Sequence, residues 1–324
     1  MARDSLPIGS VRVRAGTAAE VGLLITRLVT GGDVTLPVRV VHGKLDGPVV
    51  WLDAAVHGDE VVGVEVIRQV LRTLQPKRLR GTVIAVPIVN VLGFMTGDRY
   101  LPDRRDLNRS FPGSARGSLA ARIAHLFMTE VVSKCSVGID LHTGADRRAN
   151  LPQIRADLDD PGTLELARAF GAPVMLHARL RDGSIRSAAA ESGARVLLYE
   201  GGENLRLDEY AVDAGVRGVR RVLAALGMID PVAEEQSPTL ECRGSGWVRS
   251  RRTGIAHLDV ALGQQVVVGE RLGSVFDSYG KTLRTVRADR DGVVIGRANA
   301  PIVNRGDALV HIASPSSHRP VDAG

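Results

Sequence analysis

Apolar residues along this chain come in short runs, each closed by glycine, asparagine or a charged residue. The runs at 21–29, 34–43, 48–56, 81–93, 136–144, 172–178 and 194–202 are rich in Val, Ile and Leu. Their length and β-branched content predict buried strands. Between several of them the spacing becomes helical. Val62, Val66, Ile67, Val70, Leu71 and Leu74 share one helical face, and Leu119 to Val132 and Thr163 to Phe170 keep the same period. Strands alternating with helices predict an α/β sheet covered on both faces.

Around Met228 the texture changes. Residues 231–241 carry proline, acids and serine and read as a linker that closes a first domain at residues 1–230. Beyond it, strand-like runs and glycines dominate. Val266, Gly269 and Leu272 make a V-x-x-G-x-x-L pattern that returns as Val303, Gly306 and Leu309. Each copy follows a Gly-apolar pair, Gly254-Ile255 and Gly292-Val293, at nearly the same distance. Two related halves of short strands predict a small, self-contained β-sandwich over 242–313. Residues 314–324 read as a tail without fixed structure.

Composition narrows the function. The chain has 324 residues, 44% hydrophobic and 24% charged, as expected of an ordinary globular protein with one large and one smaller domain. Only 3% of residues are aromatic, which argues against base-stacking platforms. The net charge of +6 comes from arginines scattered among acids, with no basic block, so nucleic acid is not an expected partner. Arginines gathered around one pocket would instead suit a carboxylate. The two cysteines, Cys135 and Cys242, make no disulfide framework. The first residues lack an apolar signal core, and no apolar run approaches the ~18 residues of a membrane span. A cytoplasmic location and no membrane partner are therefore expected. Association into a homo-oligomer is left open.

The candidate chemistry sits at strand ends. In "HGDE", His57 and Glu60 stand three apart between a strand and a helix, where both side chains can turn to one ion. Catalytic zinc commonly takes two histidines and one glutamate and keeps one position for water. His142, at the end of the run "SVGID", is the best third ligand, with Asp140 two residues before it as support or scaffold. An H-x-x-E pair also arises by chance, and a strand-end histidine is what raises this one above that background. His42, His125, His177, His257, His311 and His318 lack such company and read as surface or satisfied core residues. The segment 98–114 is dense in Arg, Asn and Asp, and is either a solvated loop or an anion clamp. Glu200 ends a buried strand and is costly to bury without a partner or a task, such as the base that zinc hydrolases require.

Taken in order, "HGDE", "DLNRSFPG", "DLHTG" and "YEGGE" resemble the succinylglutamate desuccinylase/aspartoacylase family, within the carboxypeptidase-like zinc hydrolases. The resemblance implies a zinc-carboxypeptidase-like mixed sheet flanked by helices, plus a C-terminal all-β domain similar to lipoyl/biotinyl barrel-sandwiches. It implies one zinc per chain on His57, Glu60 and His142, and Glu200 as general base. By the same resemblance Arg99 would polarise the scissile carbonyl, and Asn108, Arg109 and Arg186 would bind substrate carboxylate. The implied substrate is a small N-acyl amino acid. The carrier tip of lipoyl domains is missing around Lys281, so no swinging-arm cofactor is expected. No residue matches the C-terminal tyrosine that closes the aspartoacylase pocket. The rivals are a zinc carboxypeptidase acting on peptides, which a closed pocket would disfavour, and a metal-binding protein without turnover, which would not need Glu200.

Overall fold

The computed structural model describes residues 3–232 and 238–315. A short hairpin of β1 (Leu6–Ile8) and β2 (Val11–Val13) precedes β3 (Thr17–Arg27), β4 (Asp33–His42) and β5 (Leu45–Ala54). There follow α1 (Val62–Thr73), β6 (Arg80–Val86), α2 (Val91–Thr96), α3 (Leu119–Glu130), β7 (Val137–Gly144), β8 (Arg148–Ala156) and α4 (Pro161–Phe170). The first part closes with β9 (Val174–His177), α5 (Ile185–Glu191), β10 (Arg195–Glu203) and α6 (Glu209–Ala225). The chain is α/β, as the alternation predicts.

The strands join in the order β9-β8-β10-β7-β5-β6-β4-β3. The centre, β10-β7-β5-β6, is parallel, while β4, β3 and the β8–β10 pair run antiparallel, so the sheet is mixed. One face packs on α1, α4 and α6 through Val66, Ile67, Phe170, Val219 and Val222. The other packs on α3, α5 and the β1–β2 hairpin through Phe127, Ile123, Ile185 and Ile8. Every residue of β7 is buried, as a central parallel strand covered on both faces must be. The apolar run at 81–93 is not one strand. β6 stops at Val86, and Asn90 caps α2 by accepting the Gly93 N–H, so the same apolar letters continue as a helix.

The C-terminal part consists of β11 (Leu240–Arg249), β12 (Gly254–Leu258), β13 (Gln265–Val266), β14 (Arg271–Phe276), β15 (Thr282–Arg287), β16 (Gly292–Ala298), β17 (Ile302–Val303) and β18 (Ala308–Pro315). The repeat in the sequence is real in three dimensions. The short strand of each half crosses to pair with the other half, β13 with β16 and β17 with β12. Gly269 and Gly306, the glycines of the two V-x-x-G-x-x-L copies, both take positive φ (84° and 100°) at the turn after the short strand, where a side chain would be strained.

This unit is all-β but not self-contained. β11 pairs in parallel with β9, and β16 pairs with β8, so one of its sheets continues the main sheet to twelve strands. The reason is the edge: β8 and β9 would otherwise end the sheet with unpaired backbone groups. The linker is correspondingly shorter than expected, because Leu240 and Glu241 already belong to β11. Ser314 and Pro315 belong to β18 rather than to a tail. His318 and the remainder of that segment lie outside the described residues. Among the described residues no helix is long and apolar enough to cross a membrane, and Cys135 and Cys242 are both free.

Candidate functional site

The carboxyl ends of β5, β7 and β10 meet at one cavity of about 490 Å³, the usual place for a ligand in an open α/β sheet. β5 ends at Ala54, and the next residue turns the chain with φ 49°. The following loop presents His57. Gly58 is required there, since a Cβ on it would come within 2.1 Å of the Gly93 carbonyl carbon. Glu60 then sits just before α1, and His142 rises from β7.

These three side chains are buried and turn their ligand atoms together, all within 4.8 Å of one another. Glu60 bridges the histidines, with Oε1 2.8 Å from His57 Nδ1 and Oε2 2.7 Å from His142 Nδ1. The Thr143 N–H donates to Oε2 at 3.0 Å. On the far side of each ring a second carboxylate waits: Asp106 Oδ1 is 3.2 Å from His57 Nε2, and Asp140 Oδ1 is 2.8 Å from His142 Nε2. A histidine that gives its Nε2 proton to a carboxylate offers the Nδ1 lone pair to a cation. Both Nδ1 atoms turn toward the same carboxylate, while on the far side His57 Nε2 also meets the Arg99 Nη2 donor at 2.9 Å and His142 Nε2 makes no hydrogen bond of its own.

The electrostatics point to a cation as well. Burial opposes ionisation of Glu60, yet His57 and His142 override it and hold the carboxyl well below its ordinary range. Burial also opposes charging of His142, but Asp140 and Glu60 outweigh it and raise its pKa well above the usual value. His57 is raised in the same sense, chiefly by Glu60 against the cost of burial. Glu60 is thus favoured as an anion between two imidazole rings, the form in which a carboxylate binds a divalent cation. Behind the cluster, burial and the neighbouring Asp140 push the Asp53 carboxyl well up. Asp53 accepts the Trp51 indole N–H at 2.7 Å and stands opposite Asp140 in register.

Asp59 of "HGDE" is not part of this cluster, being bound by the Asn204 amide at 2.9 Å. Arg99 lies against the cluster, donating to Glu60 Oε1 at 3.1 Å and reaching Asp106 Oδ2 at 3.5 Å. Glu200 faces His142 across the β10–β7 pair and lines the same cavity. Asn108 is buried in a short 3-10 turn, where its Oδ1 accepts the Ile185 N–H at 3.0 Å, tying this loop to the start of α5. Its neighbour Arg109 is exposed and lines the cavity. Arg186 reaches the cavity too. It is buried and braced by the Ala178 and Arg179 carbonyls at 3.2 and 3.1 Å. Burial depresses its pKa, with Arg155 adding to the effect. All eight residues singled out in the sequence therefore surround one space.

Others were not legible. Arg148, Arg155, Arg179 and Arg181 join Arg99, Arg109 and Arg186 around the cavity, against Glu60 and Glu200 as the acids. Asn150 and Trp247 also line it. Trp247 stacks on His311, with centroids 4.6 Å apart and planes 13° from parallel, and Arg148 approaches the indole at 5.4 Å. His311, indistinct in the sequence, is thus a buried support of a cavity wall. Of the two readings given for His42, surface or satisfied core, the second holds: it is buried and bonded to Thr82 and to the Asp4 carbonyl. His177 is half-buried beside Asp157 and Asp159, an arrangement that no feature of its sequence announced.

Comparison with known proteins identifies the family and the fold. Residues 46–226 match the model of the succinylglutamate desuccinylase/aspartoacylase catalytic domain. The N-alpha-acetyl-L-2,4-diaminobutyric acid deacetylase of Halomonas elongata is 33% identical over 298 residues, 87% of this chain and 86% of that protein. A succinylglutamate desuccinylase/aspartoacylase from Rhodobacter sphaeroides superposes with a TM-score of 0.82 at 29% identity, over 93% of this chain and 96% of the other. The product-bound ectoine utilization protein EutE (DoeB) of Ruegeria pomeroyi shares the fold at 24% identity, with a TM-score of 0.84 over 96% and 98% of the two chains.

Proposed function

We infer that this chain, which belongs to the succinylglutamate desuccinylase/aspartoacylase family of hydrolases, removes an acyl group from a small N-acyl amino acid with the help of one zinc ion. The observation that carries the reading is the His57–Glu60–His142 cluster, with Glu200 in register beside His142, lining one arginine-rich cavity. His57 and His142 would hold the ion through Nδ1 and Glu60 through its carboxylate. Bound there, zinc lowers the pKa of a coordinated water toward ~7 and polarises an amide carbonyl.

The chain's own residues do the rest. Glu200 takes a proton from the attacking water and returns it to the departing amine. The guanidinium of Arg99 faces the charge that develops on the carbonyl oxygen, and losing one such donor typically costs ~3 kcal/mol of barrier. Asn108, Arg109 and Arg186 fix the substrate carboxylate by forked hydrogen bonds. Seven guanidiniums against two carboxylates favour a substrate of net negative charge, so the acyl group or the amino acid is expected to bring a second carboxylate. The Halomonas relative, by its name, is a deacetylase, which makes acetyl the first acyl group to try. The cavity is small and walled by Trp247, which favours a single acyl amino acid over a peptide.

The test is amine release from a panel of N-acetyl and N-succinyl amino acids, acidic and diamino members included, with Glu200→Gln alongside. Zinc-dependent hydrolysis by the wild type, lost in Glu200→Gln with zinc retained, is the expected result. Turnover of peptides in preference to every acyl amino acid would overturn it.

A further inference from the structure

We propose that Asn150 is a positioning residue that holds the Glu200 carboxylate in its working orientation. The proposal rests on the reading of Glu200 as general base. A carboxylate on a flexible side chain must keep one oxygen toward the water, and something has to fix the other.

The backbone is arranged to bring Asn150 there. The β8–β10 register runs Glu200 opposite Gln153 and then Gly202 opposite Asn150. Leu151 and Pro152 therefore face the single residue Gly201. That is a bulge, and Pro152, which has no N–H to give to the ladder, suits it. The slip lies immediately beside Glu200. Asn150 is 6% exposed, and its Nδ2 donates to Glu200 Oε2. The other oxygen, Oε1, is 3.8 Å from Arg155 Nε, a buried donor without a hydrogen-bond partner.

The C-terminal unit backs this contact. Gly296 of β16 stands opposite Asn150. A Cβ there would lie 2.9 Å from Asn150 Oδ1 and 3.1 Å from His311 Cβ. Bare backbone is thus pressed against the amide from behind, and Asn150 is held between β16 and the carboxylate. A neutral amide also suits the task chemically. It orients a carboxylate without cancelling its charge, whereas a guanidinium at the same distance would make the base weaker.

Asn150→Ala and Gly296→Ala are compared with wild type for kcat, KM, bound zinc and melting temperature, and Asn150→Ala is repeated in the Glu200→Gln background. The expected result for Asn150→Ala is a fall in kcat of about 10- to 100-fold, the usual cost of losing an orienting partner. KM should stay within about twofold, zinc and melting temperature should be kept, and the residual rate of Glu200→Gln should not fall further. Gly296→Ala should lower kcat in the same direction by displacing the amide. A wild-type kcat in Asn150→Ala beside an inactive Glu200→Gln overturns the Asn150 role alone. So does an equal loss in both backgrounds, which a merely structural residue would give. Full activity in Glu200→Gln removes the base assignment and the Asn150 role together.

Discussion

Glu200 and His142 stand opposite one another, in register, on the adjacent parallel strands β10 and β7. Directly paired residues of neighbouring strands point to the same face, about 4.8 Å apart at the backbone. The separation between the proposed base and one proposed metal ligand is thus set by sheet hydrogen bonds, not by loops. The other two members of the cluster, His57 and Glu60, come from the loop clamped at Gly58, with Glu60 two residues before α1 begins at Val62.

That arrangement makes the proposed metal site separable from the fold. In His142→Ala the strand keeps its pairing, but the Nδ1 donor opposite Glu60 is gone. Bound zinc, measured after dialysis, is expected to fall to a small fraction of one per chain while the circular dichroism stays native. Full zinc occupancy in this variant would show that the ion sits elsewhere.

The His57–Glu60–His142 cluster could be read from the sequence because its members end apolar runs or sit three apart beside one. The same logic failed where local letters conceal the structure. β8 carries Asn150, Pro152, Gln153 and Arg155, and looks like a polar loop. It is a strand because β10, β9 and β16 supply its partners from far along the chain. α6 is the longest helix among the described residues, yet Gly215 and Gly218 break its pattern. Those glycines are where Val66 and Phe170 press on the helix, leaving no room for a Cβ. Trp247 enters the cavity only because β11 joins the main sheet, a long-range pairing that no local spacing encodes.

His311 predicts a pH dependence of stability. Burial, with Arg155 and Arg290 nearby, depresses its pKa to about 3 from an ordinary value of 6.5. Between those values the unfolded chain binds the proton and the folded chain does not. Its contribution to stability is therefore complete above about pH 6.5 and is lost as pH falls toward 3, with a slope of at most ~1.4 kcal/mol per pH unit. Urea unfolding at a series of pH values should show that slope in wild type and a flatter one in His311→Phe. Equal slopes would mean that His311 titrates normally.

Trp247 is expected to set the size of the acyl group or side chain accepted. Among the described residues it is the only one from the C-terminal unit that lines the cavity. Trp247→Ala removes the wall and its stacking on His311. Longer N-acyl substrates, such as butyryl in place of acetyl, should gain relative to short ones in kcat/KM, with Trp247→Phe intermediate. One methylene in an apolar pocket is worth about 10- to 200-fold at most, so a shift of at least several-fold is the expected reading. An unchanged chain-length profile would place the limiting wall elsewhere.

The arginines around the cavity predict a requirement for substrate carboxylate. The Arg109 pKa is depressed by burial, and Arg181 and Arg99 beside it push the same way, although Asp106 opposes them. Like charges gathered in a partly desolvated pocket are costly until an anion enters. Arginine meets a carboxylate in plane with two hydrogen bonds, a geometry that lysine does not reproduce. Arg109→Lys should therefore lower kcat/KM for the best acyl amino acid by at least tenfold while bound zinc is unchanged, a loss of ~1.4 kcal/mol or more. The carboxamide of that substrate should be poor for the wild type and should gain nothing from the arginine, so the wild type and Arg109→Lys should handle it alike. Equal hydrolysis of free acid and amide by the wild type would remove the carboxylate clamp and leave zinc-assisted cleavage of a neutral amide in its place.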